Sequence, residues 1–322
     1  MNVIRDFCNR DLPALTRVWS EHWTAAGSPP PVSSTVLERA ILSRSFFKPD
    51  QLMVAIIDDQ VEAWCHFGRP VMAIGDLDGD ASEPESGRQA VLSAFCFTAA
   101  GLQCCDELLA AVLARMTEFG CENVVVGPLR DQHCGYVGLP PIGHGMGVPD
   151  MDVRASSLLS RNGFSPVGSF EKMATRTAPY QPPVSREMMQ LRRTTRAEKS
   201  FVLPQQGRYA AAMSHIDIEH HQLINHCNGQ RLANMRLWLS DPESQVMSCS
   251  EAILDLSPIE AAGQLTSAES FLIVTLIQTL ATRCIFDIET TINSEWSALK
   301  EQLVALHFAN VGGGARWTKT LV

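Results

Sequence analysis

Ala90-Val91-Leu92-Ser93-Ala94-Phe95-Cys96-Phe97 is the stretch on which the fold turns. It holds no charge and a single hydroxyl over eight residues. That is short for a core helix and too continuous for a half-exposed strand, so it reads as a strand covered on both faces. Downstream, Gln103–Phe119 repeats apolar residues at Leu108, Leu109, Val112, Leu113 and Met116, the spacing of an amphipathic helix. Asn123–Val126 is a second short apolar run and a second buried strand. Together they predict a mixed α/β sheet with 90–97 at its centre and 123–126 beside it.

Working outward, Val3–Phe7 reads as a strand, and Asp11 is expected to cap a helix that has Pro13 in its first turn and Leu15, Val18, Trp19 and Trp23 on one face. Ser34 is expected to cap a second helix. Gln51–Ile57 and Val61–Phe67 form a hairpin about Asp58-Asp59-Gln60, and a polar loop runs from Gly75 to Arg88. A glycine-rich loop, Gly127–Pro149, precedes a helix at Asp152–Arg161. Asn162-Gly163 caps its end, and one or two closing strands lie in Phe164–Thr175.

Three prolines in Thr177–Pro183 mark the best boundary, giving domains at 1–176 and 185–322 with a linker at 177–184. In the second half, His215–Ile224 and Arg231–Leu239 read as helices. Glu251–Leu256 reads as a strand, Ala268–Ala281 as an apolar helix, Ile285–Thr291 as a strand, Glu295–Leu306 as a helix and Ala315–Val322 as a strand. The order seen from Ala90 to Thr175 thus recurs from Glu251 to Val322.

The chain has 322 residues, 45% hydrophobic and 19% charged, with a formal net charge of −9. This suits a large buried core and argues against coating nucleic acid or an anionic membrane. Its ten cysteines include no C-x-x-C pair and lie mostly in apolar runs, as expected of free thiols in a reducing cytoplasm. No uncharged run is long enough for a membrane helix, and the first residues lack the apolar core of a secretion signal.

In this order of elements, and in Leu158-Leu159-Ser160-Arg161-Asn162-Gly163-Phe164, where an aromatic follows a glycine cap, the chain resembles the GNAT superfamily of acyl-CoA-dependent N-acyltransferases. Leu303-Val304-Ala305-Leu306-His307-Phe308 is a blurred second copy of that motif, so the resemblance is to a tandem GNAT-like fold with a truncated, degenerate second copy, the arrangement to which mycothiol synthase belongs. It implies that two neighbouring parallel strands splay at the sheet's centre to admit the thioester of acetyl-CoA or another acyl-CoA. Backbone N–H groups of Ala94, Phe95, Cys96 and Phe97 would bind the thioester carbonyl. Gly101, Leu102, Gln103, Cys104, Cys105 and Asp106 would present amides to the pyrophosphate. The family's phosphate loop reads Gln/Arg-x-x-Gly-x-Gly/Ala; the aligned positions here are Ala100, Gln103 and Cys105, with Asp106 and Glu107 following. Where many members carry a proton-donating tyrosine, this chain has Leu159 and, in the second copy, Leu303.

The loop Leu129–Pro149 is longer than most strand–helix connections and leaves the end of 123–126, beside the implied thioester site. Tyr136 is therefore the candidate acid, expected to reach a slot floored by Phe95, Cys96 and Phe97. His133 or His144 is the candidate base. In the competing reading the loop is plain surface and Tyr136 merely anchors it. Asp76–Asp80 imitates the start of a calcium loop but lacks the glycine and glutamate that complete one. Adjacent His220-His221, then His226-Cys227, do not converge on one ion if helical. No metal is expected. Arg186, Arg192, Arg193, Arg196 and Lys199 form a basic cluster facing solvent or an anion. The expected function is acyl transfer from acyl-CoA to an amine of a small molecule, by a monomer or homodimer. The alternative is a GNAT-like scaffold that binds a ligand without turnover.

Overall fold

The computed structural model describes residues 2–27, 32–68, 88–127, 135–141, 145–202, 207–256, 259 and 263–321. In chain order its elements are β1 (Val3–Asp6), α1 (Leu12–Ala25), α2 (Ser34–Leu37), β2 (Leu52–Ile57), β3 (Gln60–Gly68), β4 (Gln89–Phe97), α3 (Cys105–Glu118), β5 (Asn123–Val126), β6 (Val148–Pro149), α4 (Val153–Arg161) and β7 (Ser165–Arg176). There follow α5 (Arg186–Thr194), β8 (Thr195–Val202), α6 (Gly207–Ala212), β9 (Ile216–Asn225), β10 (Arg231–Ser240), β11 (Glu251–Asp255), α7 (Ser267–Thr282), β12 (Asp287–Asn293), α8 (Ser297–Ala305) and β13 (Ala309–Thr320).

The chain divides into two compact units that are interleaved in sequence. Unit 1 comprises Met1–Ser169, Pro204–His215 and Gly314–Val322; unit 2 comprises Phe170–Leu203 and Ile216–Gly313. The proline-rich stretch 177–184 lies inside the first segment of unit 2.

In unit 1 the strands run in the order β1-β2-β3-β4-β5-β13. All pairs are antiparallel except β4–β5, which is parallel from Gln89↔Asn123 to Leu92↔Val126. Every residue of β4 after Gln89 is buried, as its apolar run predicts. Helix α3 packs Leu108, Leu109, Val112 and Met116 on one face of this sheet. On α1, Leu15, Val18, Trp19, His22 and Trp23 are buried.

Two cap expectations change. The Asp11 side chain makes no cap bond; it takes two hydrogen bonds of 2.7 Å from Arg5 and one of 2.9 Å from the Cys8 amide. Burial alone would push its carboxyl up, but those bonds outweigh it and hold it at about 2. The second helix is capped by Ser33, whose hydroxyl accepts from the Val36 amide, and not by Ser34.

In unit 2 the order is β7-β12-β11-β10-β9-β8, again antiparallel but for one pair, β11–β12. The two units thus share a plan, and each is completed by a strand from the other copy. β7, which follows α4, pairs with β12, whereas β13, which follows α8, pairs with β5. The residues expected as helices at 215–224 and 231–239 are the strands β9 and β10, paired from Arg231↔Ile224 to Ser240↔Ile216. In β10 the buried residues Ala233, Met235, Leu237 and Leu239 recur at every second position, the period of a strand, although Ala, Met and Leu individually favour helices. α7 forms as expected and buries Leu272, Ile273, Val274, Leu276, Ile277 and Leu280. Thr266 and Glu269 close a reciprocal capping box at its start.

No helix among the described residues is long and apolar enough to cross a membrane.

Candidate active site

The site begins with a register shift. His66 pairs with Ala94 and Phe67 with Leu92, which leaves Ser93 as an extra residue in β4 and bends the strand there. At the same point β5 ends. Pairing stops at Leu92↔Val126, and Gly127 turns the chain away with φ +72. A side chain on Gly127 would bring Cβ within 2.5 Å of the Val148 amide nitrogen, so this turn demands glycine. β4 runs on for five residues with no strand partner on its β5 side among the described residues. The result is a slot of about 40 Å³ walled by Trp23, Leu92–Phe95, Val126, Gly127, Gly147–Pro149, Asp152, Ala155 and Leu159, enough for about three waters at ~10–15 Å³ each.

Three polar features face an otherwise apolar slot. The antiparallel ladder to β3 alternates, with the Thr98 amide bonding Glu62 O, so the N–H groups of Phe95 and Phe97 turn toward the side that β5 leaves open; that of Phe97 goes to His22, and that of Phe95 is left at the slot. Trp23 Nε1 and Ser93 Oγ are buried without a hydrogen-bond partner among the described residues, a cost that a bound polar group would remove. The third is Asp152, 2% exposed, and the one ionisable residue in the described lining.

Asp152 is held from two sides. Its Oδ1 caps α4 by accepting from the Ala155 amide at 3.2 Å, and its Oδ2 lies 2.8 Å from His22 Nε2. His22 is wholly buried. Its Nδ1 lies 3.2 Å from both the N–H and the carbonyl oxygen of Phe97, and its Nε2 donates to the Asp152 carboxylate, which can only accept. Arg154 donates to the His22 carbonyl at 2.9 Å, with its guanidinium over the Phe97 ring. The strand end, α1 and the start of α4 are thereby locked together around one carboxylate.

No protein-family model matches the chain, and no curated protein does. Solved structures do. A tandem GNAT protein from the clavulanic acid biosynthesis pathway superposes with a TM-score of 0.64 over 100% of this chain and 99% of its own, at 9% identity. A GCN5-related N-acetyltransferase from Sphaerobacter thermophilus gives 0.62 over 99% and 96%, at 10% identity. A fungal glucosamine N-acetyltransferase region gives 0.68 over 99% of this chain and 38% of the multi-domain protein that contains it, at 11% identity. The chain has the tandem GNAT fold.

That fold implies an acyl-CoA cosubstrate in general, and the two ends of the site fit it differently. Of Ala94, Phe95, Cys96 and Phe97, the first two line the slot and the last two do not. Cys96 is fully buried, and burial pushes its thiol well above the usual range. The expected phosphate loop is a 3-10 turn, Gly101–Cys104, pressed onto β3. A Cβ on Gly101 would lie 2.0 Å from Glu62 O.

The Gly101 amide is spent on Thr98 Oγ1, and the Thr98 hydroxyl on the Glu62 carboxylate. Cys104 and Cys105 are buried and donate to Gly101 O, so they belong to the core, and Leu102 and Gln103 are exposed. Asp106 is exposed; Arg161 grips it through two bonds of 2.8 and 2.7 Å and Asn162 through one of 2.7 Å, all of which hold its carboxyl below the usual range. The loop therefore presents exposed carboxylates at Asp106 and Glu107, and its Thr98 and Gly101 amides are already taken, where a pyrophosphate needs cations and free amides. It does not fit that group.

Tyr136 is placed away from the lining. Its ring is 1% exposed and stacks on Trp19, and its hydroxyl is 3.0 Å from His66 Nδ1. These contacts match the anchoring reading of its loop. His133, Cys134, His144 and Asp76–Asp80 lie outside the described residues.

Among the described residues no group of three or more His, Cys, Asp or Glu is arranged to hold a metal. His220 and His221 alternate on β9, and His221 bonds Glu219 at 2.9 Å. Of the basic cluster, Arg186, Arg192 and Arg193 are on α5 and Arg196 and Lys199 on β8, where Lys199 also reaches Glu219. The residues that sequence reasoning missed are His22 and Trp23. Asp152 was legible only as a helix start.

Proposed function

We propose that unit 1 transfers an acyl group from a thioester to the amine of a small molecule, with the chemistry in the slot beside β4. The observation that carries this reading is the unpaired run of β4, whose Phe95 N–H faces a gap that also contains the buried Asp152 carboxylate. An amine attacking a thioester carbonyl needs a donor for the oxygen that gains charge and an acceptor for the proton the nitrogen sheds.

In this reading the carbonyl oxygen lies against the Phe95 N–H, and Trp23 Nε1 and Ser93 Oγ are further donors within the same walls. The amine nitrogen forms its bond to the carbonyl carbon and gives its proton to Asp152. The carbon–sulfur bond then breaks, and the sulfur leaves with the electron pair as thiolate, to be protonated by solvent, since Leu159 offers no proton. His22 does not touch the substrate; it holds Asp152 in place.

The test is release of free thiol from acetyl thioesters in the presence of a panel of small amines. Asp152→Asn keeps the helix cap and should reduce the rate by about 10²–10⁴-fold, the scale of a lost acid–base group. An unchanged rate removes Asp152 from the mechanism.

The second reading, a ligand-binding protein without turnover, is favoured by Leu159 in place of the tyrosine and by the carboxylates of the phosphate loop. It predicts that a thioester raises the melting temperature by mass action while no amine on the panel releases thiol.

A further inference from the structure

We infer that the donor for this slot is a pantetheine thioester with no nucleotide pyrophosphate behind its arm, and not an acyl-CoA. The inference rests on the acyl-transfer reading above and adds the donor class to it. Its basis is a mismatch within unit 1, between the slot and the turn from β4 to α3, where the fold family's pyrophosphate would lie.

The reacting end is equipped for a thioester: apolar walls, an outward Phe95 N–H, and two buried donors, Trp23 Nε1 and Ser93 Oγ, that lack a partner among the described residues. The far end is equipped against phosphate. Glu62, Asp106 and Glu107 bring three carboxylates to the turn between β4 and α3. Arg161 is the cation placed against this turn, and both its bonds go to Asp106. Arg17 is likewise paired to Glu62 at 3.0 Å.

The amides of Thr98 and Gly101 already have acceptors, and the Gly101 backbone is packed so closely on the Glu62 carbonyl that a Cβ there would lie 2.0 Å from it. A pyrophosphate laid here would meet like charge with two of the turn's amides already taken, the arrangement by which a site disfavours a ligand. Pantetheine itself, ending in a hydroxyl, meets no such penalty. Neither does an arm tethered to a carrier protein, whose single phosphodiester sits where the chain leads away.

The experiment measures binding to the full chain by titration calorimetry and thermal shift, with S-acetylpantetheine and acetyl-CoA as probes. S-acetylpantetheine should bind at least as tightly as acetyl-CoA. Acetyl-CoA affinity should rise with added salt as repulsion is screened, and S-acetylpantetheine affinity should not. Replacing the exposed Glu107 by lysine, Glu107→Lys, should tighten acetyl-CoA about tenfold, one like charge exchanged for an opposite one, and leave S-acetylpantetheine unchanged.

Acetyl-CoA binding ten times more tightly than S-acetylpantetheine, or weakening with salt, overturns the donor class and leaves the slot reading standing. If neither probe binds, the slot reading falls and the donor class with it. An acetylated phosphopantetheinyl carrier protein that binds more tightly than free S-acetylpantetheine assigns the tethered source, and equal affinities assign the free one; both outcomes support the donor class.

Discussion

In unit 1 the helix that follows the parallel pair opens on Asp152; in unit 2 the corresponding helix opens on Trp296. Both units set one parallel pair in an antiparallel sheet, and in both the paired strands part after three or four residues, at Leu92↔Val126 and at Ile253↔Glu289. What separates them is what each puts beside the gap. Unit 1 supplies a capping carboxylate, a buried histidine that holds it, and orphaned donors on Trp23 and Ser93. Unit 2 has no acidic cap there; its buried carboxylates among the described residues are Asp255, 2% exposed at the end of β11, and Glu219, 1% exposed on β9, which takes two bonds of 2.9 Å from Arg283, one of 3.1 Å from Lys199 and one of 2.9 Å from His221. Both units end their parallel pairing early, but it is in unit 1 that the following helix opens on a carboxylate lining a slot.

The largest stability effect expected from this contrast lies in unit 2. Glu219→Ala leaves Arg283 and His221 without their shared acceptor and should cost about 3–5 kcal/mol, the range for breaking a buried ion pair on one side. Urea unfolding would measure it, and a loss below about 1 kcal/mol would mean that the network is ornamental. The same residue sets an acid limb. Burial would raise its carboxyl, but the hydrogen bonds from His221, Arg283 and Lys199 prevail and hold it at about 2, against an ordinary 4.5. Because the folded value is the lower one, this stabilisation is complete above pH 4.5 and fades as pH falls toward 2. Glu219→Gln should flatten that limb of the melting temperature against pH, and an unchanged slope would refute the assignment.

A middling effect separates two equivalent glycines, each four residues before a helix. A methyl on Gly101 would press on the Glu62 carbonyl, whereas one on Gly263 meets nothing nearer than Trp296 Cδ1 at 3.9 Å and only has to tolerate φ +63. Gly101→Ala should cost about 3 kcal/mol from overpacking against backbone, and Gly263→Ala about 1 kcal/mol from left-handed strain. Equal costs would show that the turn in unit 1 is not seated on β3 as described.

How much of this was legible depended on whether the deciding forces were local. β4, β5, α3, α4 and α7 declare themselves because each is a consecutive apolar run or a 3.6-residue stripe. β9 does not: Glu219, His220, His221 and Gln222 look like the polar face of a helix, and their burial makes sense only once Arg283 and Lys199 arrive from distant segments. The Asn228-Gly229 turn before β10, with Gly229 at φ +72, was the overlooked hairpin signal. His22 and Asp152 are separated by 130 positions, and no pattern in either neighbourhood announces the other. Tyr136 drew notice because it stands in an unusual loop, yet its ring is needed against Trp19.

The smallest expected effect concerns the two helix ends that carry the shared motif. α4 ends on Gly163 at φ +80, whereas α8 reaches the same left-handed turn with His307 at φ +68. A residue with a Cβ pays about 1–2 kcal/mol for that conformation, so His307 needs a reason to be there. Its ring supplies one: Nε2 lies 3.1 Å from the Gln181 carbonyl, and the imidazole meets the Tyr180 ring edge-on at 5.8 Å. His307→Gly removes the strain but also the hydrogen bond, worth about 1 kcal/mol, and adds glycine's unfolded-state entropy of about 0.5–1 kcal/mol. These terms nearly cancel, and the variant should unfold within about 0.5 kcal/mol of the parent. Gly163→Ala has no such compensation. Space is open, the nearest atom being Lys319 Nζ at 3.7 Å, so the whole strain of about 1 kcal/mol should appear as lost stability. A His307→Gly variant more than 2 kcal/mol less stable than the parent would mean that the histidine's contacts are worth far more than an exposed hydrogen bond and a ring edge. The two copies would then differ at this turn in kind, not only in residue.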